Sequence, residues 1–123
     1  MDRKATAKET LTIMERGYYE VNKVRVDIKD LQAHAVKGSF LLTPEQGEQI
    51  LKEYGKTRED QNKKTAFMTW NSSSVEAILR LTGEGKPASI LNFASAKNPG
   101  GGFINGAMAQ EESLAASSIM YRT

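Results

Sequence analysis

The chain has 123 residues, 17 basic and 15 acidic, giving a net charge of +2, and it has no cysteine. This length fits one domain, and 39% apolar residues with 26% charged residues are typical of a globular protein. The weak and scattered charge disfavours duplex nucleic acid or a membrane surface as a partner. The lack of cysteine excludes disulfides and thiolate chemistry. With no apolar stretch near the ~18 residues of a membrane span and no signal-peptide pattern, a cytoplasmic location is expected.

The N-terminal half contains patterns for two helices and one strand. Ala7, Leu11 and Met14 recur at helical spacing, which predicts an amphipathic helix over residues 2–17. The alternation of Val24, Val26 and Ile28 with charged residues predicts a half-exposed edge strand. Thr43-Pro44-Glu45-Gln46 has the form of a capping box, so a helix should run to about Tyr54. Residues 30–42 are ambiguous, and the polar stretch 56–63 is predicted to be a loop.

The second half reads as strand, helix, strand, loop and helix. Residues 66–70 and 89–94 are short apolar runs, and the second is expected to be a strand buried on both faces. Ser73 to Glu76 forms a second capping box between them. A last helix should start between residues 107 and 110 and extend through Met120. This order predicts an α/β three-layer fold with a mixed, mainly parallel sheet.

Three consecutive glycines, Gly100 to Gly102, follow the second predicted strand. Ligands of open α/β sheets bind outside the carboxyl ends of the strands, so this loop is well placed for binding. Glycines let backbone N–H groups converge on an anion, and a phosphate or diphosphate is the natural ligand. A flexible turn without a ligand is the alternative. The loop is not a P-loop, because no Gly-Lys-Ser/Thr follows.

Gln110-Glu111-Glu112 opens the last predicted helix. Acidic residues in a first helical turn also stabilise the helix dipole, so the triplet alone allows a purely structural interpretation. A carboxylate beside a diphosphate site could instead protonate the leaving oxygen of a glycosidic bond and then activate water. The helix dipole lowers the carboxyl pKa, which opposes the role of an acid.

The combination of Gly100-Gly101-Gly102, seven intervening residues and Gln110-Glu111-Glu112 resembles the signature of poly(ADP-ribose) glycohydrolases. NFASAKNPGGGF and QEESLAASSIMYR are similar to the microbial type, whose core is a macrodomain. The resemblance also includes the N-terminal helix and MTWNSSSVEAILRL. It therefore implies that residues 1–123 are the N-terminal part of such a catalytic domain, with residues 1–20 as an accessory helix. The family's domain continues with later strands and a second glycine loop, so the chain is expected to be truncated after the catalytic-loop helix.

The resemblance implies a role for each matching position. Glu112 corresponds to the catalytic acid acting on the ribose–ribose bond, and Glu111 corresponds to its partner, which helps to hold the ribose hydroxyls. The substrate-binding positions that it implies are Gly100, Gly101, Gly102, Phe103, Gln110, Asn92, Asn98 and Asn71. The family needs no metal and no organic cofactor. Its substrate is poly(ADP-ribose) or an ADP-ribosylated protein, and its product is ADP-ribose.

Two alternatives to a hydrolase stay open. The same loop could bind ADP-ribose without turnover, as a binding module would. The chain could also be an inactive remnant, or one half that needs a complementing chain. The sequence does not determine the oligomeric state or the linkage that is preferred.

Overall fold

The structure, a computed structural model, describes residues 2–56 and 64–122. It divides into two compact units, residues 1–38 with 72–123 and residues 39–71. The predicted loop at 56–63 lies outside the described residues, apart from Lys56, which ends a helix. No helix in the described ranges has both the length and the apolar character needed to cross a membrane.

The first unit begins with the predicted helix, α1, over Arg3–Arg16. Asp2 caps it by accepting hydrogen bonds from the N–H groups of Lys4 and Ala5, and Gly17 ends it in the left-handed conformation with φ 76°. Residues 18–20, which were assigned to the accessory helix, instead belong to a strand. Two residues of α1, Ala7 and Met14, are buried.

A hairpin follows, with β1 over Tyr18–Val21 and β2 over Val24–Asp27, paired antiparallel. Asn22 and Lys23 both have positive φ, at 51° and 64°, as a two-residue type I′ turn requires. The edge strand predicted around Val24 is confirmed, whereas β1 had no clear alternation and was missed. Helix α2, over Lys29–Gly38, occupies most of the stretch that the sequence left ambiguous.

The second unit contains α3, over Pro44–Lys56, with the predicted capping box. Thr43 N–H donates to Gln46 Oε1 at 2.9 Å, and Gln46 N–H donates to Thr43 Oγ1 at 3.3 Å. Residues 66–70 form no strand, so this prediction is wrong. A strand requires a ladder of hydrogen bonds to a neighbour, and no described segment provides one here.

The first unit resumes with α4, over Ser74–Gly83, which starts at the predicted capping box of Ser73 and Glu76. Residues 89–94 are not a strand, and they are not buried, since Leu91 is 72% and Phe93 75% exposed. The described residues therefore form only the two-stranded antiparallel hairpin, and the mainly parallel sheet predicted from the strand order is absent from them. The α/β class itself is correct.

Helix α5 covers Gln110–Ser117, and single 3-10 turns cover Phe103–Asn105 and Met120–Arg122. The predicted start of α5 is confirmed, but the helix ends before Ile119 and Met120. The buried core cluster contains Ala7 from α1, Phe103 from the first 3-10 turn and Ala115 from α5. Thr10 Oγ1 also donates to the carbonyl of Ala116 at 3.0 Å, so α1 packs directly against the elements that carry the glycines and the acidic triplet.

Candidate active site

The glycine loop and the start of α5 are joined by the side chains of the acidic triplet. Glu112 Oε1 accepts a hydrogen bond from Gly102 N–H at 2.8 Å, and its Oε2 accepts one from Ala109 N–H at 3.0 Å. The second contact is half of a capping box, since Ala109 has no side-chain acceptor to return it. The side chain of Glu112 thus lies at the glycine loop.

Glu111 holds the preceding part of the loop. Its Oε1 accepts from Gly100 N–H at 2.8 Å and its Oε2 accepts from Ser95 N–H at 2.7 Å. The residue is only 6% exposed, so a buried carboxylate is balanced by two backbone donors and by the N-terminus of α5. This geometry gives Glu111 a positioning role. Its contact with ribose hydroxyls stays a prediction.

Gln110 fixes a third segment of the chain. Its Oε1 accepts from Phe93 N–H at 2.9 Å, while its Nε2 donates to Leu91 O and to Ser74 Oγ, each at 3.1 Å. The three residues of the triplet therefore bind three successive parts of residues 91–102. Adjacent helical residues point about 100° apart, yet all three side chains face this segment because it curves around the start of α5.

Glycine is required at two loop positions by both conformation and space. Gly100 and Gly101 have positive φ, at 74° and 59°, where other residues are strained. A Cβ on Gly100 would lie 2.6 Å from the ring of Tyr121, and one on Gly101 would overlap the carboxylate of Glu112. The close fit of backbone to carboxylate depends on these glycines.

The electrostatics of the free site keep Glu112 ionised. The N–H of Gly102 is the largest cause that lowers the pKa of Glu112 below its usual value of 4.5, and the N–H of Ala109 lowers it further, while partial desolvation opposes them. The described residues contain no group of three or more potential metal ligands.

A pocket of about 420 Å³ borders Glu112, between α1, α5 and the loop that leads into α5. It is lined by Arg3, Thr6, Phe103, Ala107, Met108, Glu112, Ser113, Ala116 and Ser117. A larger cavity of about 590 Å³ between α1 and the hairpin contains none of the predicted site residues. We therefore associate the chemistry with the smaller pocket.

The other predicted site residues differ in their burial and in their contacts. Phe103 is 3% exposed and packs in the core, with its ring 5.5 Å from that of Tyr121, so only a small edge can reach a ligand. Asn92 Nδ2 lies 3.8 Å from Met120 Sδ, and its buried Oδ1 has no hydrogen-bond partner among the described residues. Asn98 is exposed, and its backbone carbonyl accepts from Gly101 N–H at 2.8 Å. Asn71 belongs to the other compact unit.

Sequence reasoning missed Ser95, Ala109 and Arg3. Ser95 and Ala109 contribute only backbone N–H groups, which leave no signal in the residue type. Arg3 was not singled out, because helical periodicity marks the polar face of α1 but not which part of it borders a pocket.

The fold and the site define an α/β domain in which a glycine loop is held by two acidic residues that open a helix. The model of the microbial-type PARG catalytic domain, where PARG is poly(ADP-ribose) glycohydrolase, matches residues 7–123. The chain belongs to this family, and the resemblance drawn from the sequence is confirmed.

Solved structures of poly(ADP-ribose) glycohydrolase from Thermomonospora curvata are similar to the chain. The enzyme bound to the inhibitor ADP-HPD is 40% identical with a TM-score of 0.81, and a glutamate-to-alanine mutant is 40% identical with a TM-score of 0.80. The first alignment covers 98% of this chain and 42% of the solved one, and the second covers 97% and 42%. The chain thus spans about two-fifths of the length of these relatives. Comparison with curated proteins finds no match.

Proposed function

We propose that the chain contributes the acid-bearing half of a poly(ADP-ribose) glycohydrolase site, which hydrolyses ribose–ribose O-glycosidic bonds and releases ADP-ribose. The observation that carries the proposal is the contact of Glu112 with Gly102 N–H, because it places a carboxylate directly beside the glycine loop. Membership of the PARG family and the binding of ADP-HPD by a solved relative support this substrate class.

In the proposed reaction, Glu112 gives its proton to the leaving ribose oxygen as the glycosidic bond breaks. The resulting oxocarbenium-like centre is attacked by water, whose proton returns to Glu112. Glu111 and Gln110 hold the loop against α5, and Gly100 to Gly102 bind the ribose and diphosphate. Asn92 and Asn98 are proposed to contact the rest of the nucleotide.

The acid step requires a higher pKa than the free site provides. Gly102 N–H is the largest cause of the low pKa, so a ligand that takes over this N–H removes that cause. The negative diphosphate then raises the pKa further, because a nearby like charge disfavours the ionised carboxyl. Substrate binding would thereby favour the protonated form of Glu112 that the reaction needs.

The family resemblance also supports finer proposals about the surroundings of the site. We propose that residues 66–70 and 89–94 become strands when the rest of a three-layer, macrodomain-like sheet is present. We also propose that the protein acts in the cytoplasm on poly(ADP-ribose) or ADP-ribosylated protein. A sheet neighbour would also cover Phe67 and Leu91, which are 92% and 72% exposed.

The test replaces Glu112 by Gln, which keeps the size and one acceptor, and uses Glu84→Gln as the control. Glu84 is a surface acid paired with Lys86 and Arg80. We expect Glu112→Gln to slow release of ADP-ribose from the polymer by at least ~100-fold and to retain ADP-ribose binding, whereas the control matches the wild type. Binding of ADP-ribose with no hydrolysis by the unsubstituted chain would favour a binding module instead.

A further inference from the structure

The pocket beside Glu112 contains an arginine for which the proposed reaction has no use. We call it the Arg3 pocket, and it is lined chiefly by Arg3, Thr6, Phe103, Met108, Ser113 and Ser117. Its volume of about 420 Å³ lies in the usual range for small-molecule sites. Its lining includes both hydroxyl groups and apolar side chains, as suits a nucleoside with its sugar and base.

Arg3 is available for a ligand. Its side chain is exposed, and its guanidinium makes no hydrogen bond or ion pair with any residue in the described ranges 2–56 and 64–122. A guanidinium offers five donors in a planar fork that matches phosphate oxygens. The pocket therefore combines an unpaired cation with surfaces for a base and a ribose.

The pocket and the glycine loop both border the Glu112 side chain. Oε1 bonds to Gly102 in the loop, and Oε2 bonds to Ala109, next to Met108 of the pocket wall. Glu112 lines the pocket, but none of the three glycines does. A ligand that contacts both regions therefore also lies next to Glu112.

We propose that the Arg3 pocket binds the nucleotide unit on the leaving side of the bond that is broken, with Arg3 bound to its diphosphate. The inference rests on the proposed function: the glycine loop holds the ADP-ribose unit to be released, so the neighbouring unit of the polymer lies beyond Glu112. A single ADP-ribose occupies only the site at the glycine loop. The pocket thus gives preference for a chain of at least two units.

The experiment compares binding of ADP-ribose and of its ribose–ribose-linked dimer to the full chain carrying Glu112→Gln, which prevents turnover during the titration. We expect the dimer to bind roughly tenfold more tightly than the monomer, as one charge-assisted pair allows. Adding Arg3→Gln should remove most of this advantage and leave the monomer affinity within about twofold. Lys4→Gln is the matched control, since it removes the next positive charge on α1 without touching the pocket.

Each other outcome contradicts the inference in a distinct way. A dimer that binds no more tightly than the monomer overturns the inference and leaves the proposed function intact. An equal loss for both ligands in Arg3→Gln, or an equal loss in Lys4→Gln, shows general charge attraction and also overturns it. If a chain that is folded by circular dichroism binds neither ligand, both the inference and the proposed function fail.

Discussion

Replacing Glu111 by Gln tests whether this residue holds the glycine loop. Glutamine fills the same space, but one of its two terminal groups is an NH₂ donor. Since both carboxylate oxygens of Glu111 accept backbone N–H groups, from Ser95 and Gly100, one N–H must meet a donor instead of an acceptor. The Gly100 contact is fully buried, so water cannot replace the missing acceptor.

The size of the effect follows from these two contacts. A buried donor without an acceptor costs ~1–3 kcal/mol, and the remaining hydrogen bond also loses its charge assistance. We therefore expect the free energy of unfolding to fall by about 2–4 kcal/mol, out of a total of roughly 5–15 kcal/mol for a domain. At roughly 4 °C per kcal/mol for a chain of this length, Tm should drop by about 8–16 °C.

Urea unfolding followed by circular dichroism measures this change, with the m value expected to stay constant. Glu84→Gln is the control, because it also removes one acidic charge but breaks only surface ion pairs, which contribute little. If Glu111→Gln were as stable as Glu84→Gln, the two hydrogen bonds would not hold the loop, and our account of Glu111 as a positioning residue would be refuted.

Two further predictions concern the loop and its acid. Gly101→Ala should cost more stability than Gly85→Ala in thermal unfolding: both have positive φ and share about 1–2 kcal/mol of strain, but only Gly101 lies against Glu112. Equal losses would disprove the close fit. Because the folded pKa of Glu112 is lowered, its contribution to stability is present above its usual 4.5 and is lost as the pH falls through the lowered value. Urea titrations below pH 4.5 should therefore show a weaker pH dependence in Glu112→Gln, and an unchanged dependence would contradict the role of Gly102 N–H.

Local signals in the sequence were sufficient to predict most of the helices and to propose the position of the site. Asp2 and Gly17 bound α1, the two capping boxes start α3 and α4, and Gly100 to Gly102 with Glu112 identify the loop and its acid. These features depend on residues close in sequence, whose hydrogen bonds form within one turn or cap. The family could be recognised for the same reason, since its signature is a local spacing of glycines and acids.

Strand formation could not be read from the sequence in this way. Residues 89–94 have the composition of a buried strand, yet a strand exists only where a second segment completes its hydrogen bonds, and here Gln110 satisfies Phe93 and Leu91 instead. Periodicity indicates that a segment is able to form a strand, but it does not identify the segment with which that strand pairs. The hairpin strand β1 was missed for the corresponding reason, because its partner β2 and the turn define it.

The sequence by itself indicated the starts of α1, α3, α4 and α5 and determined the family. Only the tertiary structure showed how the contacts differ within the triplet. The side chains of Gln110 and Glu111 form hydrogen bonds with backbone groups, while that of Glu112 also borders a pocket. The tertiary structure also decided that α1 brings Arg3 to that pocket from about 110 residues away in the chain. The physical reason is that hydrogen-bond partners and pocket walls depend on packing between distant segments, which no local pattern of residues encodes.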